Sequence, residues 1–70
     1  MPESITIHVN GEQRSIQATT TLAELLESLK LNPKFLAVEC NLAVVPRTTH
    51  AQHRLNDGDV LEIVTLVGGG

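Results

Sequence analysis

The chain has 70 residues, a formal net charge of −3, 41% hydrophobic residues, 1% aromatic residues and a single cysteine. That length supports one domain with a compact core, and with Phe35 the lone Phe, Tyr or Trp the interior has to be built from Leu, Ile, Val and Ala. Cys40 alone excludes an internal disulfide framework and the several thiolates of an iron–sulfur cluster.

The five basic residues Arg14, Lys30, Lys34, Arg47 and Arg54 are scattered, which argues against a surface that tracks nucleic-acid phosphates. The chain opens with Met-Pro-Glu-Ser, not with a basic region followed by an apolar run. No stretch approaches the roughly 20 apolar residues needed to cross a bilayer, so a cytoplasmic protein is the expectation.

Residues 5–9, ITIHV, alternate apolar and polar, and Asn10-Gly11 supplies a dipeptide that tolerates positive φ in a tight hairpin. A second strand follows and ends near Ile16 and Ala18. Thr21 and Glu24 match a capping box, and Leu22, Leu25, Leu26 and Leu29 recur at helical steps while Glu24, Glu27 and Lys30 face outward. Asn32-Pro33 is expected to end this helix.

Leu36, Val38 and Cys40 share one strand parity, so Cys40 is expected to point inward. A short strand ends in Val44-Val45-Pro46, where proline cannot donate to a ladder and therefore favours a sheet edge. Thr49 and Gln52 can cap a single helical turn, and Asn56-Asp57-Gly58-Asp59 reads as a turn. Residues 60–67, VLEIVTLV, form the last and most apolar strand.

The order strand, strand, helix, strand, strand, strand describes an α+β fold of the β-grasp (ubiquitin-like) type. It has a mixed sheet of about five strands, with one main helix on one face and the last strand parallel beside the first. Leu61 and Ile63 are expected to face the helix, and Val60, Glu62 and Val64 to face away. The domain is assigned to residues 1–67, with 68–70 as a flexible glycine tail.

Gly68-Gly69-Gly70 carries no Cβ to obstruct a narrow passage, and at roughly 3.3 Å per extended residue it reaches about 10 Å past the last strand. A terminal glycine run is often a frayed end. Here it follows directly from the strand expected to be central, so a carboxylate on Gly70 could enter another protein's active site. A carboxylate is a poor acyl donor and must first be activated, for instance as an acyl-adenylate. The sequence contains no G-x-x-x-x-G-K-[ST] loop, so ATP is expected to be used by a partner enzyme and no cofactor to be bound here.

Three segments, LAVECN, VVPRTTHA and LNDGDVLEIVTLVGGG, together with the hairpin–helix opening, closely resemble the ThiS family of sulfur carriers in thiamine biosynthesis. The resemblance covers nearly the whole chain, and the order and spacing of the segments carry it. It implies that Gly70 is adenylated by a ThiF-like enzyme using ATP and converted to a thiocarboxylate with sulfur from a donor system. The sulfur is then delivered to the thiazole synthase ThiG. On this analogy Gly69 and Gly70 carry the transferable function and Gly68 extends the tail. In one departure, Leu42 follows Asn41 where many relatives place glycine. Leucine at positive φ is costly, so a turn other than the two-residue type I′ is expected there.

Cys40 is read as a small buried hydrophobe. His8, His50 and His53 lack a further thiolate or carboxylate cluster to complete a closed zinc site and are read as solvated or locally hydrogen-bonded. Asp57 and Asp59 are turn formers, and Arg47 suits either loop support or partner contact. Val60, Val64 and Leu66 form an apolar strip on the face the helix leaves open, a candidate partner-binding surface. No nucleophile, base and orienting group can be named, so no residue is given a catalytic role. Alternative readings are a MoaD-like carrier for molybdopterin synthesis, a ubiquitin-like protein modifier, and an RNA-binding β-grasp module. Acidity and the single aromatic disfavour the last.

Overall fold

The computed structural model describes residues 3–66. Strand β1 (Ser4–Val9) buries Ile5, Ile7 and Val9 on one face, as its alternation requires, and leaves Thr6 and His8 half-buried on the other. It turns at Asn10-Gly11, with φ of 51° and 84°, into antiparallel β2 (Glu12–Gln17). Both turn residues lie in the left-handed region, as the two-residue hairpin expected from the Asn-Gly pair requires.

Helix α1 (Leu22–Ser28) begins with the expected capping box. The Glu24 N–H donates to Thr21 Oγ1 at 3.2 Å, and the Thr21 N–H donates to Glu24 Oε1 at 2.8 Å. The two amides ahead of Glu24 reach another part of the chain, Leu22 N–H donating to His53 O at 2.8 Å and Ala23 N–H to His50 O at 3.1 Å. The free N–H groups of the first turn are thus satisfied by Thr21 and by the loop that precedes the last strand. Leu22, Leu25 and Leu26 are fully buried. Each contributes about 1.5–3 kcal/mol of transfer free energy, more than a cap of ~1 kcal/mol, so packing holds the helix and the cap fixes where it starts.

The helix stops earlier than Asn32-Pro33. Lys30 adopts φ 60°, with Leu31 N–H donating to Leu26 O at 2.9 Å and Lys30 N–H to Glu27 O at 3.0 Å. This is a Schellman closure with lysine where glycine is usual. Asn32 and Pro33 instead start the next element: Asn32 Oδ1 accepts from Lys34 N–H at 2.9 Å and opens a 3-10 turn over Pro33–Phe35.

Strand β3 (Leu36–Cys40) buries Leu36, Val38 and Cys40 as its parity predicts, and two residues later β4 (Ala43–Val44) returns antiparallel to it. A second 3-10 turn covers Arg47–Thr49. Thr49 is inside this turn and donates its hydroxyl back to Pro46 O at 2.9 Å, so it does not cap a turn beginning after it. Strand β5 (Val60–Thr65) runs parallel to β1 and antiparallel to β3, giving the sheet order β2-β1-β5-β3-β4. Strand β4, which ends at Val44 two residues ahead of Pro46, lies at an edge, as expected. The result is the mixed five-stranded β-grasp sheet with its helix on one face.

Leu61 is wholly buried and Ile63 packs on the core, while Val60, Glu62 and Val64 are exposed. No helix among the described residues is long and apolar enough to cross a membrane. The last strand ends at Thr65, short of the expected residue 67, with Leu66 N–H bonded to Phe35 O; residue 67 and the glycine tail at 68–70 lie outside the described residues.

The β3–β4 turn overturns the expectation set by Leu42. Asn41 and Leu42 have φ of 52° and 71° across the pair Cys40↔Ala43, so both central residues of this two-residue turn are left-handed, the hallmark of type I′. The cause lies in Asn41, which is tied to β5 from backbone and side chain. Its N–H donates to Val60 O at 2.8 Å, its Oδ1 accepts from Val60 N–H at 3.0 Å, and its Nδ2 donates to Asp59 Oδ1 at 2.9 Å. With Asn41 fixed and the register closed two residues later, Leu42 takes the strained conformation while its side chain is 92% exposed. Leu42→Gly is expected to stabilise the fold by up to about 1 kcal/mol, the left-handed cost of leucine less the entropy glycine adds to the unfolded chain. Chemical denaturation checks this: the midpoint rises for Leu42→Gly and is unmoved for Leu42→Ala.

Candidate functional site

The turn before β5 is built from the residues read as turn formers. Asn56 O accepts from Asp59 N–H at 3.1 Å, Asp59 Oδ2 accepts from Asn56 N–H at 2.8 Å, and Gly58 takes φ 88°. Asp57 Oδ1 accepts from Thr6 N–H at 2.8 Å, and Gly58 N–H donates to Thr6 O at 2.7 Å, clamping the turn onto β1. Asp59 is buried, with its two oxygens taken by Asn41 and Asn56. Both carboxylates therefore hold backbone, which is a structural use and not acid–base chemistry.

Beyond the turn, His8 N–H donates to Asp59 O and Asn10 N–H to Leu61 O, each at 2.9 Å. Where β1 turns away, the Asn10 carboxamide continues the ladder. Its Oδ1 accepts from Ile63 N–H at 2.7 Å and its Nδ2 donates to Ile63 O at 3.1 Å. The described chain leaves the sheet at Leu66, whose N–H donates to Phe35 O at 2.7 Å.

The expected apolar strip is present in the structure. Val60 (46% exposed), Val64 (58%) and Leu66 (52%) all lie exposed at alternate positions of β5 and its end. Strand pairing brings further apolar residues onto this face that the alternation of β5 alone does not reveal. Val44, 68% exposed, stands opposite Glu39, and Ala37 stands opposite Val64. Phe35 and Leu42 extend the exposed apolar surface at either end of β3. The parity of β3, already used to place Leu36, Val38 and Cys40 inward, puts Ala37 and Glu39 on this outer face. It does not reveal that Val44 joins them, because that depends on the tight turn.

His50 is buried, with Nε2 3.1 Å from Val45 O. A carbonyl oxygen can only accept, so Nε2 carries the proton. Nδ1 of His50 and Nδ1 of His8 are buried without a partner among the described residues. No group of three or more His, Cys, Asp or Glu side chains placed to hold a metal occurs among the described residues. Arg47 is exposed at the start of its 3-10 turn.

Cys40 is buried beneath the sheet, and its thiol is pushed up to about 11, first by burial and then by the charge and hydrogen bond of Asp59. It stays a neutral packing group at physiological pH, unfit for sulfur relay. Because the folded thiol keeps its proton longer than the unfolded one, this contribution to stability is complete below the ordinary thiol value of 9.0. It is lost as pH rises from there towards about 11. Over that window the wild type is expected to lose more stability than Cys40→Ala. Parallel denaturation-versus-pH curves would show that the thiol has no such environment.

The ThiS family model matches residues 7–70. Sulfur carrier protein ThiS of Bacillus subtilis is 40% identical over 65 residues, which cover 91% of this chain and 98% of that relative. Thiazole synthase of Paramagnetospirillum magneticum is 47% identical over 62 residues, 89% of this chain and 19% of that protein, so the chain spans about a fifth of its length. Among solved structures, the thiamine biosynthesis protein ThiS from Geobacter metallireducens superposes with a TM-score of 0.81 at 29% identity, covering 94% of this chain and 100% of that one. The chain belongs to the ThiS family.

Proposed function

We propose that this protein is a sulfur carrier of thiamine biosynthesis, working in the cytoplasm as the co-substrate of an adenylating enzyme. The observation that carries this reading is a family match running through the glycine triplet to residue 70, matched by a carrier from Bacillus subtilis over nearly its full length. In the proposed cycle a carboxylate oxygen of Gly70 attacks the α-phosphorus of ATP on a ThiF-like partner and pyrophosphate leaves. Hydrosulfide supplied by a donor system then attacks the acyl carbon, AMP leaves, and loss of the S–H proton leaves a thiocarboxylate. A thiazole synthase of ThiG type is the proposed acceptor, supported by the similarity of this chain to part of two proteins named thiazole synthase.

The chain's own contribution is positional. Gly68, Gly69 and Gly70 offer no side chain to a narrow active site. The strand that precedes them is paired on both sides in the middle of the sheet, and the strip Val60, Val64 and Leu66 provides an apolar contact for the activating enzyme.

Intact-mass measurement after incubation with a ThiF-like enzyme, ATP and a sulfur donor tests the reading. The wild type is expected to exchange one oxygen for sulfur at Gly70, and the chain lacking Gly70 to show no exchange. Val64→Asp is expected to fold normally and to be converted more slowly at low carrier concentration. An unchanged wild-type mass, or conversion without Gly70, would contradict the proposal.

A further inference from the structure

The outer face of the sheet carries an arrangement that folding alone disfavours. Glu39 of β3 and Glu62 of β5 are direct cross-strand partners, and directly opposed residues of an antiparallel pair project from the same face. Like charges so placed repel and destabilise the sheet. No Lys or Arg of the neighbouring strands offsets them, and the one base on the outer face of β1, half-buried His8, stands opposite Val60. β1, β3, β4 and β5 contain no Lys or Arg, and Arg14 of β2 pairs with Ile7, which places it on the helix side.

The surroundings of the two carboxylates are apolar. Val60 and Val64 flank Glu62 along its strand, Ala37 lies two residues before Glu39, and Val44 is Glu39's partner on the other side. Leu42, strained and 92% exposed, lines a shallow concavity with Asn41, Val60 and Glu62. Two negative charges are therefore framed by exposed aliphatic surface, at the end of which the hairpin holds out a leucine at a conformational cost.

Resting on the carrier reading, we propose that this face recognises its activating enzyme through one cationic side chain of that enzyme. The cation seats between Glu39 and Glu62, while Val44, Val60, Val64 and Leu42 meet an apolar rim around it. Charge complementarity selects this occupant. A second apolar surface alone would bury two unpaired carboxylates, a penalty that a neighbouring cation removes. A guanidinium fits best, since its planar fork can reach two carboxylates and its faces tolerate aliphatic neighbours. A divalent cation would need further oxygen ligands, and no group of three or more ligating side chains occurs among the described residues.

The proposal gives the pair opposite effects on stability and on binding, which a purely structural role would not. Glu39→Gln, Glu62→Gln and the double variant are titrated calorimetrically into a ThiF-like enzyme at low and high salt, and thermal midpoints are recorded alongside. The single variants are expected to raise Kd several-fold and the double variant at least tenfold. The loss should shrink at high salt, and midpoints should be equal to or above that of the wild type. At saturating carrier the conversion rate should be unchanged. A double variant that binds within twofold of the wild type would overturn the proposal, and so would weaker binding accompanied by a lower midpoint. Wild-type protein that binds but is never converted to a thiocarboxylate counts against the carrier reading alone. Converted wild type whose affinity ignores both carboxylates counts against this docking proposal alone.

Discussion

Strand β5 is held in place by two asparagine side chains acting from opposite sides, and the rest of the molecule depends on that arrangement. Asn10, at the point where β1 turns away, exchanges two hydrogen bonds with the backbone of Ile63. Asn41, where β3 turns away, binds Val60 through its own N–H and its Oδ1. Both residues occupy the left-handed region, where asparagine is better tolerated than most non-glycine residues, so one residue type serves the turn and the ladder together. These side-chain bonds are solvent-exposed, so each contributes about 0.5–1.5 kcal/mol net, and together they are a sizeable share of the stability of a domain this small. These bonds therefore decide the register of the last strand, while the aliphatic core supplies the bulk of the driving force.

Register has functional weight here because a slip of one residue would exchange the two faces of β5. In the observed register Leu61 and Ile63 meet the helix, and Val60, Glu62 and Val64 face outward. The same pairing sets Glu62 against Glu39 and so creates the charged centre of the apolar face. The core and the apolar outer face are thus two results of one alignment, and a change that loosened the alignment would damage both.

Much of this was legible in the sequence, because local chemistry and global fold agree at most positions. The Asn10-Gly11 turn, the Thr21/Glu24 capping box, the leucine stripe and the inward parity of β3 each have a short-range signature, and each is present. The exceptions are places where distant contacts override local preference. Lys30 ends the helix because Leu31 is drawn back onto Leu26, not because of the following proline. Leu42 accepts a conformation it disfavours because Asn41 is already committed to β5. Thr49 bonds back to Pro46, while the loop after it spends the carbonyls of His50 and His53 on the helix N-terminus, a use no motif announces. The outer face was only half visible for the same reason: the alternation of β5 exposes Val60 and Val64, but the opposition of Glu39 and Glu62 exists only once the strands are paired.

The claim that β5 is the fixed centre of the molecule can be tested most directly by native-state hydrogen exchange read residue by residue. The His8 and Asn10 amides, bonded to Asp59 O and Leu61 O, and the Ile63 amide, bonded to Asn10 Oδ1, should exchange only through global unfolding. Their opening free energies should equal the stability of the whole domain. Exchange of these three amides through a smaller opening, while the β1–β2 hairpin and the helix stay protected, would show that the last strand detaches by itself and would contradict the account.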